Sequence, residues 1–122
     1  MKEKILRYGV CEGHHDLPVD GYIFLADLNP DLITDPDKLK EWAWKKLRNA
    51  ISDCEAERRF LMTTDEYDDI YVTAPAAKLD LYVTGLTVAL IAVIEAAKEL
   101  YLPVMLYHYN KSTGEYYTQR IR

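Results

Sequence analysis

Two short stretches of this sequence combine residue types that bind ligands or perform chemistry. The first is the turn Thr84-Gly85-Leu86-Thr87, which follows a β-rich segment and leads directly into an apolar run. A strand that passes through such a turn into a helix leaves backbone N–H groups unpaired, and two threonine hydroxyls add further donors. The pattern predicts a site for an anion such as phosphate. The same residues also fit an ordinary strand–helix connection in which Thr87 is the N-cap.

The second stretch, residues 11–16, gathers a thiol, two imidazoles and two carboxylates. Each of these groups can ligate a metal, but a tetrahedral site normally needs a second ligand cluster, so we expect no metal and no cofactor. From this loop, His14 is expected to contact a ligand phosphate or base. Cys11 beside a histidine has the composition of a nucleophile–base pair, yet no orienting third group is evident, and no catalytic residue is assigned.

Composition limits the class of protein. The 122 residues are 49% hydrophobic and 29% charged, which fits one globular domain spanning residues 1–122. The formal charge of −5 disfavours duplex nucleic acid as a partner and still permits a small anionic ligand. The longest apolar run, residues 88–94, is far shorter than the ~20 residues that cross a bilayer, so no membrane is expected. Two cysteines without framework spacing favour a cytoplasmic protein with free thiols.

Hydrophobic periodicity and turn residues define the expected elements. Strands are predicted over residues 4–10, 21–26, 59–62, 69–73, 80–84, 104–109 and 115–121, and a helix over residues 88–100. Another helix should begin with Asp35 as N-cap and Pro36 at its first position, and should end near Ser52. Its core-facing side should carry Leu39, Trp42, Ala43, Leu47, Ala50 and Ile51. The fold class is therefore α/β, a small Rossmann-like sheet with two main helices and a C-terminal β-hairpin.

In parallel α/β sheets, ligands bind beyond the carboxyl ends of the strands. The turn at residues 84–87 should lie at that edge, together with Tyr109 and Asn110 at the end of the following strand. The loop at residues 11–16 joins them if the first strand is parallel to these two. The predicted ligand-binding residues are Thr84, Gly85, Leu86, Thr87, His14, Tyr109 and Asn110.

Tyrosine dominates the aromatic residues, with ten tyrosines against two phenylalanines. Tyr107, Tyr109, Tyr116 and Tyr117 all fall in the predicted C-terminal hairpin. Tyrosines can stack on nucleobases, at ~1–3 kcal/mol per base in single-strand binders, but they are also common in cross-strand pairs and at protein interfaces. We expect Tyr107 and Tyr109 to share a face, and the hairpin to mediate a homodimer.

The segment at residues 80–90 resembles the strand–TGGTK–helix segment of CRISPR-associated Rossmann-fold (CARF) sensor domains. The positions that match are Thr84, Gly85 and Thr87, whereas Leu86 stands at the second glycine and Val88 at the lysine. The resemblance implies a ligand of the cyclic oligoadenylate type, usually bound across a dimer. It also implies a role in antiviral defence or in the phages that counter it.

Together these features predict a protein that senses or sequesters a nucleotide or cyclic-nucleotide-type ligand. Binding is favoured over catalysis because no acid, base or metal is placed at the turn by the sequence. One alternative is a metal-independent ring nuclease or phosphodiesterase that uses a histidine from residues 11–16. A second alternative is a protein-interaction domain without a small ligand.

Overall fold

A computed structural model describes residues 3–13, 17–25, 33–54, 57–63 and 69–121. In chain order its elements are β1 (Lys4–Cys11), β2 (Gly21–Phe24), α1 (Pro36–Ile51), β3 (Glu57–Thr63), β4 (Asp69–Pro75), β5 (Ala77–Tyr82), α2 (Thr87–Glu99), β6 (Val104–Asn110) and β7 (Glu115–Ile121). The predicted α/β class with two main helices and a C-terminal hairpin is confirmed. None of the helices in these ranges has the length and apolar character needed to cross a bilayer.

The main sheet has five strands in the order β2-β1-β5-β6-β7. The first four run parallel, and β7 returns antiparallel to β6. The strand β5 is central, and β1 lies between β2 and β5, pairing with β5 from Lys4 opposite Ala77 to Gly9 opposite Tyr82. Because β1 is parallel to β5 and β6, the end of β1 lies at the same edge of the sheet as the turn after β5, as the prediction from the sequence required.

Both helices contact each other and cover one face of this sheet. Alternate side chains of the strands point into the core beneath them, as the two-residue strand period requires. Leu6, Val10, Leu79, Leu81, Val104 and Leu106 are the strand residues on this side, and all are buried. Among the described residues, α1 and α2 thus form one layer and the five-stranded sheet the other.

The helix α1 begins as its sequence predicts. The Asp35 carboxylate accepts a hydrogen bond from the N–H of Lys38, and Pro36 occupies the first turn. Leu39, Ala43, Leu47 and Ile51 are buried on one stripe. The prediction for Trp42 was wrong, because its ring is 50% exposed. Its Nε1 donates to the backbone oxygen of Ile23 at 3.1 Å, which holds the ring at the border of the sheet instead of inside the core.

The helix α2 packs mainly through small residues. Its buried side chains are Ala89, Ala92, Val93, Ala96 and Ala97, so its backbone lies close to the sheet and to α1. The larger Ile91 is 50% exposed, although the sequence around it is apolar. A helix with this many alanines can be buried on a narrow stripe while its bulkier residues lie at the side.

The strands β3 and β4, which follow α1 and precede β5 along the chain, form a separate antiparallel pair. Its exposed side includes Tyr71, whose ring lies 4.0 Å below the guanidinium carbon of Arg59. This cross-strand cation–π contact holds the two strands together without burial in the main core.

The sheet face opposite the helices carries the tyrosines. Tyr82 and Tyr107 are opposite each other on β5 and β6, and their rings stack with centroids 4.6 Å apart. Tyr116 of β7 meets the edge of Tyr82 at 5.3 Å and also contacts Tyr109 at 5.3 Å. The predicted shared face of Tyr107 and Tyr109 is confirmed. The Tyr107 hydroxyl is hydrogen-bonded to the buried Asp80 carboxylate, and its pKa is raised by burial and by that negative charge.

The contribution of the central strands to the core is measured by Leu79→Ala, because Leu79 is fully buried in β5. We expect the free energy of unfolding to fall by about 2–5 kcal/mol, from lost transfer energy and the cavity left behind. Leu25→Ala is the matched control, since Leu25 is 56% exposed, and it should change stability by less than about 0.5 kcal/mol. Equal losses in urea denaturation would contradict this placement of the core.

Candidate functional site

The chain leaves β1 and β5 toward opposite faces of the sheet. After β5 it enters α2, on the helix face. After β1 it passes over the other face, where the Cδ1 of Leu17 lies 3.6 Å from the position that a Cβ on Gly9 would take. Two neighbouring strands whose connections diverge in this way form a crevice at their carboxyl ends, which is where parallel sheets bind ligands. At this edge of the sheet, Cys11 at the end of β1 packs directly against the turn at residues 84–87.

The hydroxyl of Thr84 joins the end of β1 to the turn. Its Oγ1 donates to the backbone oxygen of Cys11 at 2.7 Å and accepts from the backbone N–H of Cys11 at 3.0 Å. The one proton of this hydroxyl is therefore directed at Cys11 and not at the opening. Thr84 lies where the sequence places it, and in this structure it connects β1 to the turn.

Gly85 is required by both conformation and space. Its φ of +79° lies in the left-handed region, which favours glycine. A Cβ at this position would stand 2.8 Å from the Cβ of Cys11 and 2.9 Å from its sulfur. Cys11 thus fits against the bare backbone of the turn, and its sulfur accepts a hydrogen bond from the Leu86 N–H. Burial raises the pKa of the Cys11 thiol, although that hydrogen bond opposes the shift.

The first turn of α2 opens at the same place. Leu86 is its N-cap, with an extended backbone and no side-chain hydrogen bond to the turn, and Thr87 is the first helical residue. The backbone oxygen of Leu86 accepts from the Leu90 N–H at 3.1 Å. No acidic side chain lies in the first turn, while Gly85, Leu86 and Thr87 are all exposed. The helix therefore presents its partial positive charge and its early N–H groups at an accessible position.

Tyr109 and Asn110 lie at the same edge of the sheet as the turn. The Val83 N–H donates to the backbone oxygen of Tyr107 at 3.0 Å, so β5 and β6 end close to each other. The Tyr109 ring is 52% exposed. Asn110 shapes the hairpin turn, where its Oδ1 accepts from the Ser112 N–H at 2.9 Å. This edge of the sheet thus carries the open terminus of α2 on the helix face and the exposed Tyr109 ring on the tyrosine face, and Asn110 is engaged in the hairpin turn.

His14 lies outside the described residues, as do residues 15 and 16. Within the described ranges, no group of three or more His, Cys, Asp and Glu side chains is arranged to hold a metal ion. Both cysteines of the chain are free thiols. Comparison of the chain with protein-family models, curated proteins and solved structures finds no match.

The contact between Cys11 and the turn is the feature of this site that sequence reasoning missed. The sequence placed Cys11 at the start of a polar loop and considered it only as a ligand or nucleophile. Its real neighbours are Thr84, Gly85 and Leu86. The contact could have been predicted only if β1 and β5 were known to be neighbours in the sheet. The signal would then have been a small residue, Cys11, at the end of β1 and a glycine, Gly85, just after the end of β5.

The link made by Thr84 is tested by comparing Thr84→Val with Thr84→Ser. Valine keeps the shape but leaves the N–H and C=O of Cys11 without this partner, so we expect a loss of about 1–3 kcal/mol in the free energy of unfolding. Serine keeps the hydroxyl and should stay within about 1 kcal/mol of the parent protein. Equal stability of the valine and serine variants in urea denaturation would rule out this role.

The environment of Cys11 is tested by its rate of alkylation with iodoacetamide in a Cys54→Ser background. Because burial raises the pKa of this thiol, the reactive thiolate is scarcer at pH 7.5 than in an unperturbed cysteine. We expect slower alkylation of the folded protein than of the same protein in guanidinium chloride, with the rate rising as pH increases. An equal rate in the folded and unfolded states at pH 7.5 would refute the assignment.

Proposed function

We propose that this protein binds a small anionic ligand of the nucleotide or cyclic-nucleotide class at the first turn of α2. The observation that carries the proposal is the position of that turn. Its backbone donors lack a side-chain cap and lie at the point where the connections of β1 and β5 diverge. Phosphate is the group that best complements several N–H donors at a helix N-terminus.

In this proposal the phosphate lies against the N–H groups of residues 87–89, and the Thr87 hydroxyl donates to one of its oxygens. Gly85 lets the ligand approach the backbone closely, and the exposed Leu86 side chain offers apolar contact beside it. Tyr109, on the neighbouring strand, supplies a ring on which a base can stack. Asn110 and His14 complete the set of contacts expected from the surrounding loops.

Binding is proposed over turnover because the groups nearest the turn are poorly suited to catalysis. Burial raises the pKa of the Cys11 thiol and so reduces the thiolate fraction, and a thiol is a much weaker nucleophile than a thiolate. The Thr84 hydroxyl already donates to the backbone. Such a site gains affinity without an evident way to accelerate cleavage. Sensing or sequestration of a signal nucleotide in the cytoplasm, as in antiviral defence, is the role that fits this behaviour and the resemblance to CARF domains.

The test is calorimetric titration with cyclic oligoadenylates and a panel of mononucleotides, using Thr87→Asp as the disabling variant. An aspartate in the first turn suits the helix dipole and should not destabilise the fold, but its charge repels phosphate. We expect the dissociation constant of the bound nucleotide to rise about tenfold or more, equivalent to ~1.4 kcal/mol. Asn49→Asp, an exposed residue near the other end of the domain, makes the same charge change and should bind like the parent protein.

Two results would count against the proposal. Absence of binding by every nucleotide tested would favour a protein-interaction domain. Equal weakening by Thr87→Asp and Asn49→Asp would move the ligand away from the α2 turn. Chromatography of the nucleotide after incubation with the protein distinguishes binding from cleavage. Cleaved product in molar excess over the protein would identify a ring nuclease or phosphodiesterase.

A further inference from the structure

The strand β7 is a long edge strand that contains no bulge and no proline. It spans Glu115–Ile121, aligns with β6 residue for residue, and contains neither proline nor glycine. Residues 115–120 are all exposed. Edge strands of this length normally carry a bulge, a proline or an inward-pointing charge, because their free N–H and C=O groups otherwise pair with another strand. In the described part of the chain, β6 is the strand that pairs with β7.

The opposite edge of the sheet is built differently. There, β2 is only four residues long, and its Ile23 oxygen accepts a hydrogen bond from the Trp42 side chain of α1. A short strand capped by a helix side chain is a protected edge. The sheet thus has one covered edge and one long, open edge, and the open edge belongs to the tyrosine-rich hairpin.

We propose that β7 pairs antiparallel with β7 of a second copy of this chain, which joins two five-stranded sheets into one continuous sheet. A two-fold axis perpendicular to the sheet generates this arrangement, and two-fold dimers are the commonest symmetric assemblies. The axis keeps equivalent faces together, so the helices of both copies lie on one side and the tyrosines on the other. The proposal does not depend on ligand binding.

The sequence of β7 is complementary to itself in this arrangement. Full overlap of residues 115–121 places Thr118 opposite Thr118 at the axis. It then places Tyr116 opposite the partner's Arg120, both exposed on the tyrosine face, where guanidinium and ring attract each other. On the helix face, Tyr117 lies opposite the partner's Gln119. Within one chain, His108 already stacks on Tyr117 at 5.1 Å and contacts Gln119 at 2.9 Å, so the pairing extends an existing cluster.

Charge also favours a second copy in antiparallel orientation. Glu115 and Arg120 are the charged residues of β7 and lie toward opposite ends of the strand. Reversal of the partner brings the Arg120 end of one strand to the Glu115 end of the other, whereas a parallel copy would align like charges. Like charges directly opposite each other destabilise a sheet, and the antiparallel register avoids them by placing Arg120 opposite the partner's Tyr116 and Glu115 opposite the partner's Ile121.

The first test is sedimentation equilibrium of the parent protein and of Thr118→Lys. We expect the parent protein to be a dimer. In the variant the two copies of residue 118 face each other at the axis, with their Cα atoms about 5 Å apart, and both carry a positive charge. The repulsion between them should raise the dimer dissociation constant about tenfold or more. Ser112→Lys adds the same charge in the exposed hairpin turn and should leave the dimer intact. A parent protein that is monomeric at its highest soluble concentration would overturn the proposal.

A cysteine at the axis tests the register independently of the stability of the lysine variant. Thr118→Cys should form an intermolecular disulfide on mild oxidation, because directly paired antiparallel residues lie within disulfide reach. Gln119→Cys is the control. In the proposed register Gln119 lies opposite the partner's Tyr117, so the two copies of residue 119 are too far apart to form a disulfide. Cross-linking of both variants alike, or of neither above the background of Cys11 and Cys54, would overturn the pairing.

Discussion

The parallel pairing of β1 with β5 is the interaction on which the rest of the structure depends. It places residues from the beginning of the chain beside residues more than seventy positions later, and every other strand of the main sheet is added to one side or the other. The buried side chains on these two strands form the floor on which α1 and α2 pack. The connections that follow β1 and β5 lead to β2 on one side of this pair and to β6 on the other.

The same pairing explains why Thr84 and Gly85 of the turn have structural roles. Gly85 accommodates Cys11, and Thr84 bonds the backbone of Cys11 in both directions. A threonine–glycine turn after a strand therefore has a sufficient structural reason before any ligand is considered. What this leaves for recognition is the backbone of the first helical turn together with Thr87. A site of that kind is specified by position in the fold more than by side-chain identity.

The sequence predicted local structure well where a local cause was present. Asp35 and Pro36 specify the start of α1 through a cap and a fixed φ, and both features are confirmed. The C-terminal hairpin likewise follows from a glycine-containing turn between two β-rich segments. Two outcomes had non-local causes. Trp42 is held at the border by the backbone of β2, and Cys11 meets the turn only because β1 and β5 are neighbours. Neither strand order nor such contacts can be read from periodicity, which reports only which side of an element is apolar.

The internal position of β1, between β2 and β5, has a consequence for how the chain reaches this fold. Parallel strands cannot form a local hairpin, and the partners of β1 are separated from it by a loop on one side and by α1 with the β3–β4 pair on the other. During synthesis, β1 leaves the ribosome long before β5 exists to pair with it. Closing so long a loop costs entropy before any contact is gained, which slows the search for the native sheet. The contacts of the β3–β4 pair and of the C-terminal hairpin are local, so each can form as soon as its own two strands have been synthesised.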